Sequence, residues 1–160
     1  MEISVFATGR LKKGAEAELA DLYAGRFKAA APALGLQFSG VREAAESRAA
    51  AAEARKAEEY APLIRGLKPG GALLLLDERG ENLSSRRFAA QLAAWRDEGR
   101  PQLLLALGGP DGFGDEARAR ADKILSFGVM TWPHRLARIM LLEQLYRAAT
   151  ILSGHPYHRD

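Results

Sequence analysis

All three histidines of this 160-residue chain, His134, His155 and His158, fall in its last 27 residues. His134 follows Pro133. The other two lie in the closing run Gly154-His155-Pro156-Tyr157-His158-Arg159-Asp160. Such a tail offers a stacking ring, an imidazole that titrates near neutrality and a guanidinium, a set that suits a nucleotide base and its phosphate. The plain alternative is a solvated end, the usual state of chain termini. The spacing H-x-x-H in a Pro-containing tail does not bring both rings to one helix face. No third ligand is evident either, so no metal site is expected.

Two glycine-bearing stretches could form ligand loops, Leu76-Asp77-Glu78-Arg79-Gly80 and Gly108-Gly109-Pro110-Asp111-Gly112-Phe113-Gly114. Each follows an apolar run, and in open α/β sheets ligands bind beyond the carboxyl ends of strands. The alternative is an ordinary strand-to-helix turn, where glycine is the default residue. The second stretch lacks the Gly-Lys-Ser/Thr ending of a P-loop and the G-x-G-x-x-G spacing of a dinucleotide fingerprint. Pro110 also removes an amide donor that a phosphate nest would use. The loop therefore suits an uncharged or adenosyl group better than a phosphate. Elsewhere Arg86 and Arg87 read as solvated helix surface, Trp95 as core, and Trp132 as core or pocket wall. Glu143 and Arg147 have i,i+4 ion-pair spacing, while Arg135, Arg138 and Arg147 could equally face phosphates.

The elements that must position these groups alternate along the chain. Ile3 to Ala7 reads as a strand, and residues 14 to 30 as a helix with Leu19, Leu22, Tyr23 and Phe27 on one face. Leu34 to Val41 reads as a second strand. Residues 47 to 66 form an alanine-rich helix capped by Ser47 and broken or kinked at Pro62. Residues 72 to 76 are an unalternating apolar strand, as in a parallel sheet covered on both faces. A helix over 84 to 98 follows, capped by Ser84 or Ser85, and then a strand from Gln102 to Leu107. A short helix over 115 to 123, a weak strand or loop from Ser126 to Thr131, and a helix over 134 to 153 complete the series. The class is α/β with a mostly parallel sheet and helices on both faces, in one domain over residues 1 to 160.

Composition narrows the options further. There is no cysteine, which removes disulfides, zinc thiolates and cysteine nucleophiles and is compatible with a reducing cytoplasm. No run approaches a membrane span, and Met1-Glu2-Ile3-Ser4-Val5 does not read as a signal peptide. The net charge of +3 permits an RNA partner without arguing for one.

Several stretches together resemble a known family. They are Leu107-Gly108-Gly109-Pro110-Asp111-Gly112, Leu125-Ser126-Phe127, Met130-Thr131, Pro133-His134, Leu136-Ala137-Arg138 and Leu142-Glu143-Gln144-Leu145-Tyr146-Arg147-Ala148, with the closing His155-Pro156-Tyr157-His158-Arg159. The chain resembles, over its whole length, the RlmH family of SPOUT-class methyltransferases, which act on a pseudouridine of bacterial 23S rRNA. The resemblance implies a C-terminal trefoil knot, a homodimer, and S-adenosylmethionine bound in the knot. It also implies methylation at N3 of pseudouridine 1915, in helix 69 of the assembled ribosome. Carried over by position, the cofactor residues would be Leu76, Gly108, Phe127, Gly128, Val129, Met130, Thr131 and Trp132. The catalytic and RNA-binding residues would be His134, Arg147, Tyr157, His158 and Arg159. A basic loop after the second strand, present in some relatives, has no counterpart in Val41-Arg42-Glu43-Ala44-Ala45-Glu46-Ser47, so no RNA contact is expected there.

The imide N3 of a pseudouridine carries a proton, so methyl transfer to it needs a base or a group that stabilises the anion. His158 or Tyr157 is expected to assist deprotonation, and Arg159 or Arg147 to stabilise charge on the base or grip a phosphate. A non-catalytic ribosome- or RNA-binding module on the same fold is the competing class. An α/β enzyme using another adenosyl or nucleotide ligand is the third.

Overall fold

The structure is a computed structural model and describes residues 1–158. Its elements run β1 (Glu2–Thr8), α1 (Ala15–Ala30), a 3₁₀ turn (Ala31–Leu34), β2 (Gln37–Ala44), α2 (Ala52–Ile64), β3 (Ala72–Asn82), α3 (Ser85–Asp97), β4 (Gln102–Leu107), α4 (Asp115–Arg120), β5 (Lys123–Ser126) and α5 (His134–Leu152). The strands form one sheet in the order β2-β1-β4-β3-β5. Every pairing is parallel, so the sheet expected to be mostly parallel is wholly so.

Alternation along the strands feeds two cores. Ile3, Val5 and Ala7, with Leu103, Leu105 and Leu107, face a layer of α1, α3 and α5 that includes Phe27, Phe88, Trp95 and Leu142. Phe6, Leu73, Leu75, Leu104 and Ala106 face Leu63 of α2 and Phe113 and Ala117 around α4. A strand buried on both faces needs apolar residues at both parities. That requirement explains the unbroken run Ala72–Leu75, each fully buried.

Several boundaries differ from the sequence reading. The second strand begins at Gln37, because Pro32 opens a 3₁₀ turn that Gly35 ends in the left-handed region. Ala51, not Ser47, precedes α2. Ser47 instead ties the preceding connector to the side of α2, its N–H donating to Glu59 Oε1 at 3.0 Å. α2 runs through Pro62 and ends two residues later at Ile64, so the proline does not break it; in the last turn its missing N–H costs one intrahelical bond. The predicted helix over 115 to 123 stops at Arg120, and the strand that follows is 123–126 rather than 126–131. On α1, Phe27 is buried but Leu19 and Leu22 are 41% and 46% exposed. Their helical spacing therefore marks an outward apolar stripe rather than core.

β3 runs well past Leu76. Leu125 of β5 is opposed by Leu76 and again by Glu81, so β3 returns to the end of β5 after an excursion over residues 77–80. Gly80 makes this return possible. A Cβ there would stand 2.4 Å from the Leu125 carbonyl carbon and 2.7 Å from Ile124 C and Leu125 N.

Candidate active site: a cleft at the carboxyl edge of the sheet

In a parallel sheet all carboxyl ends share one edge, and here three loops converge on it. A cleft of about 260 Å³ is lined by Leu76–Arg79 of β3 where its excursion begins, Leu107–Gly112 from the end of β4 onward, and Ser126–Gly128, Met130–Trp132, His134 and Ala137 from the end of β5 onward. Of the eight expected cofactor residues, Leu76, Gly108, Phe127, Gly128, Met130, Thr131 and Trp132 line it. Val129 does not: its side chain is fully exposed, because Gly128 takes a φ of 111° and turns the loop outward there. Ser126 Oγ braces the turn, donating to Gly128 O at 2.9 Å. Gly108 lies against the Gly112 backbone, where a Cβ would come within 3.1 Å of Gly112 C. The loop thus folds on itself, leaving backbone rather than side chains at the cleft wall.

Sequence reasoning missed the charged framework of the cleft. Six charged residues line it: Lys56, Arg79 and Arg118, and Asp77, Glu78 and Asp111. Asp77 is buried at the end of the first strand segment of β3. It accepts from Arg118 Nη2 at 2.9 Å and Nε at 3.1 Å, and from the Arg79 N–H at 2.9 Å. Asp111 forms a two-pronged pair with Arg55 of α2, Nε to Oδ2 at 2.6 Å and Nη2 to Oδ1 at 2.9 Å. A second prong of the same arginine holds the Ala49 and Ala50 carbonyls before α2. The Arg55 side-chain bonds hold the Asp111 carboxyl below its ordinary range. Only an acidic residue inside a glycine loop signalled this pair in the sequence, and nothing pointed to Arg55 as its partner.

The second group of expected residues gathers at the far end of α5. The i,i+4 pair is present: Glu143 Oε1 accepts from Arg147 Nη2 at 2.6 Å and Nε at 2.9 Å. Tyr157 donates from its hydroxyl to the same oxygen at 3.1 Å. The Tyr157 ring packs 4.8 Å from that of Tyr146 and lies under the Arg147 guanidinium, 4.9 Å from its centre. His158 Nδ1 is 3.4 Å from Arg147 Nη1. Tyr157 and His158 are thus docked on α5, whereas His155 and Pro156 before them are exposed. Burial first, then a hydrogen bond with Tyr23 and the Glu143 charge, push the Tyr157 hydroxyl up to about 12. Arg159 lies outside the described residues.

The structure brings Arg147, Tyr157 and His158 together and leaves His134 apart from them. His134 opens α5, and at 1.5 Å per residue Arg147 is about 20 Å along the same helix. Of the other arginines weighed as phosphate ligands, Arg135 pairs with Glu16 and Arg138 is buried on Glu43 and the Gly9 carbonyl. Trp95 is core as expected, and Trp132, 40% exposed, is cleft wall. Among the described residues no three His, Asp or Glu side chains group as metal ligands. No helix among them is long and apolar enough to cross a membrane.

A family model described as "Predicted SPOUT methyltransferase" matches residues 1–158. The chain is 55% identical over 160 residues, all of both chains, to the protein named Ribosomal RNA large subunit methyltransferase H of Brucella anthropi. The chain belongs to this SPOUT methyltransferase family. The protein of the same name from Mesorhizobium japonicum is 55% identical over 159 residues, 99% of each chain. In fold, the chain is similar to a solved probable methylase family protein from Haemophilus influenzae, with a TM-score of 0.53 at 13% identity, covering 99% of this chain and 70% of that one. A SPOUT fold accounts for the parallel sheet and for a cleft built from three carboxyl-edge loops.

Proposed function

We propose that this protein is an S-adenosylmethionine-dependent ribosomal RNA methyltransferase. Its target is N3 of pseudouridine 1915 in helix 69 of bacterial 23S rRNA, on the assembled ribosome in the cytoplasm. The observation that carries the reading is the convergence of Leu76, Gly108, Phe127, Gly128 and Met130–Trp132 on one cleft, in a chain of a methyltransferase family. The names of the full-length relatives support ribosomal RNA as substrate.

The residues present fit an adenosyl cofactor. Leu76, Leu107, Phe127, Met130 and Trp132 offer apolar walls, and Gly108, Gly109 and Gly128 bring backbone amides and carbonyls within reach. The cofactor supplies an electrophilic methyl group. What remains for the protein is to hold the pseudouridine in line and to remove or stabilise the loss of the N3 proton. With its hydroxyl held up near 12, Tyr157 stays a phenol at neutral pH and serves as a donor, not a base. His158 is then the proton acceptor, and Arg147 stabilises negative charge on the base carbonyls. Arg159 adds a phosphate or carbonyl contact.

The distance along α5 bears on assembly. One chain cannot place His134 at the cleft and its own Tyr157 and His158 on the same base. Leu19, Leu22, Val129, Met130, Trp132 and Leu136 are exposed apolar side chains on α1, the cofactor loop and the start of α5. Covering them with a second copy supports a homodimer in which the tail of one protomer completes the cleft of the other. The whole chain acts as one SPOUT domain with a C-terminal trefoil knot, a reading supported by membership of the family.

The test is mass mapping of 23S rRNA from cells lacking the protein, with in vitro methylation of their ribosomes. Loss of one methyl group at the helix 69 pseudouridine, restored by the purified protein, is expected. An unmethylated wild-type target, or no calorimetric binding of S-adenosylmethionine, would overturn the reading in favour of a non-catalytic module. Removing residues 156–160 is expected to abolish methylation and to spare the fold and cofactor binding.

A further inference from the structure

The turn after β1 is Gly9-Arg10-Leu11-Lys12-Lys13-Gly14, with three cations in four positions. Arg10, Lys12 and Lys13 are all exposed. None of the three enters an ion pair with another described residue, whereas most other arginines at this edge do. The nearby acids are bonded elsewhere, Glu43 on Arg138 and Glu16 on Arg135, although the Arg10 charge also acts on Glu43 through space. Glu46, whose carboxylate lies over Gly9, is the remaining acid beside the turn.

The backbone of this turn is held by a buried device. Arg138, 6% exposed, bonds Glu43 and donates from Nη2 to the Gly9 carbonyl at 2.8 Å. Glu43 Oε1 accepts the Leu11 N–H at 2.8 Å. Burial raises the Glu43 carboxyl, but the Leu11 amide and Arg138 outweigh it and keep the group below its ordinary range, hence ionised. Burying an arginine is costly unless it is paired and hydrogen-bonded. Here the pair's bonds hold the start of a surface turn, at Gly9 and Leu11; the Leu11 side chain packs on the core while Arg10, Lys12 and Lys13 stay exposed. A solvated charge run needs no such anchor.

Position gives the anchor a purpose. The turn sits at the carboxyl end of β1, the strand next to β4, so it shares the edge on which the cleft opens and is one strand over from Gly108. Arg138 lies one helical turn beyond His134, which lines the cleft.

We propose that Arg10, Lys12 and Lys13 form a preset phosphate-binding rim that seats the RNA backbone beside the cleft. The proposal rests on the ribosomal RNA reading above and adds where the polyanion is gripped. Phosphate contacts of this kind orient an RNA without reading its sequence. Anchoring them in one conformation lowers the ordering cost on binding.

The experiment compares the wild type with the triple variant Arg10→Gln/Lys12→Gln/Lys13→Gln, and with Lys28→Gln, an exposed cation on α1, as a control. Ribosomes from cells lacking the protein are the substrate, and KM for them is measured from 50 to 200 mM salt. Three phosphate contacts make the slope of log affinity on log salt steeper by about 2.1 to 2.7, which is about 20- to 40-fold over that salt range. The triple variant should lose that increment, with kcat near wild type and calorimetric S-adenosylmethionine binding unchanged. Lys28→Gln should keep the wild-type slope. If wild type methylates and the triple variant keeps its slope and KM, the rim is refuted while the methyltransferase reading stands. A parallel loss of cofactor binding in the triple variant would also refute it. Failure of wild type to methylate would instead sink the broader reading.

Discussion

Gly80→Ala isolates the return of β3 to β5. The new methyl carbon would meet three backbone atoms at 2.4, 2.7 and 2.7 Å. Carbon contacts are relaxed at about 3.5 to 4.0 Å, so the overlap is about 1 Å. The neighbours are main chain inside a parallel ladder and cannot rotate away as a side-chain tip would. Overpacking typically costs about 1 to 3 kcal/mol, and this geometry belongs at the upper end. The stiffer unfolded chain of alanine gives back about 0.4 to 1 kcal/mol, leaving a net loss of about 2 kcal/mol. For a chain of this size that is a fall in Tm of about 4 to 8 °C. Gly25→Ala is the internal control. It lies in α1 with nothing within 4 Å of an added Cβ. Removing a helical glycine there should stabilise by about 0.5 to 1 kcal/mol. Differential scanning calorimetry reads both variants. If Gly80→Ala melts within about 1 °C of wild type, the argument from backbone contact fails, and with it the close return of β3 to β5.

Three further outcomes follow from the same geometry. Arg55→Ala frees Asp111 and the glycine loop, so calorimetric S-adenosylmethionine affinity should fall several-fold with little change in Tm, and equal affinity would show that the pair does not set the loop. Of the four tyrosines, one should titrate near 12 by ultraviolet absorbance, and that late step should vanish in Tyr157→Phe. The carboxyls of Glu2, Glu43, Glu81, Asp97 and Asp111 are all held below their ordinary ranges. Groups lowered in the folded state stabilise it above their unfolded pKa and stop doing so as the pH falls through the folded value. Denaturation midpoints should therefore be flat from pH 7 to about 5 and decline below about 4, and a flat profile down to pH 3 would contradict these ion pairs.

The sequence carried most of the fold because parity is local. The runs at Leu73–Leu76 and Leu103–Leu107 declare a doubly covered parallel sheet by themselves. Boundaries were less legible where one residue had competing uses. Ser47 has the chemistry of a helix cap, yet its amide is taken by Glu59, twelve residues on. Leu19 and Leu22 have core spacing but face outward, because helical period gives a stripe and not what lies against it. The cleft loops were legible from glycines at strand ends. Their charged supports were not, since the pairs Arg55–Asp111 and Arg118–Asp77 span 56 and 41 residues. The docking of Tyr157 on Tyr146, Arg147 and Glu143 was equally hidden, although the i,i+4 pair beneath it was plain.

The balance of charge around the cleft reaches into turnover. Three cations and three acids line it, and Asp77 and Asp111 already face arginines. Such a wall has little electrostatic leverage for telling a sulfonium cation from the neutral thioether left after methyl transfer. On the proposed reading, with S-adenosylmethionine as the ligand, shape rather than charge would hold both, and the spent cofactor would compete with the fresh one. Catalytic throughput in the cell would then follow how quickly that by-product is cleared, and product inhibition becomes a property of the fold's own neutrality.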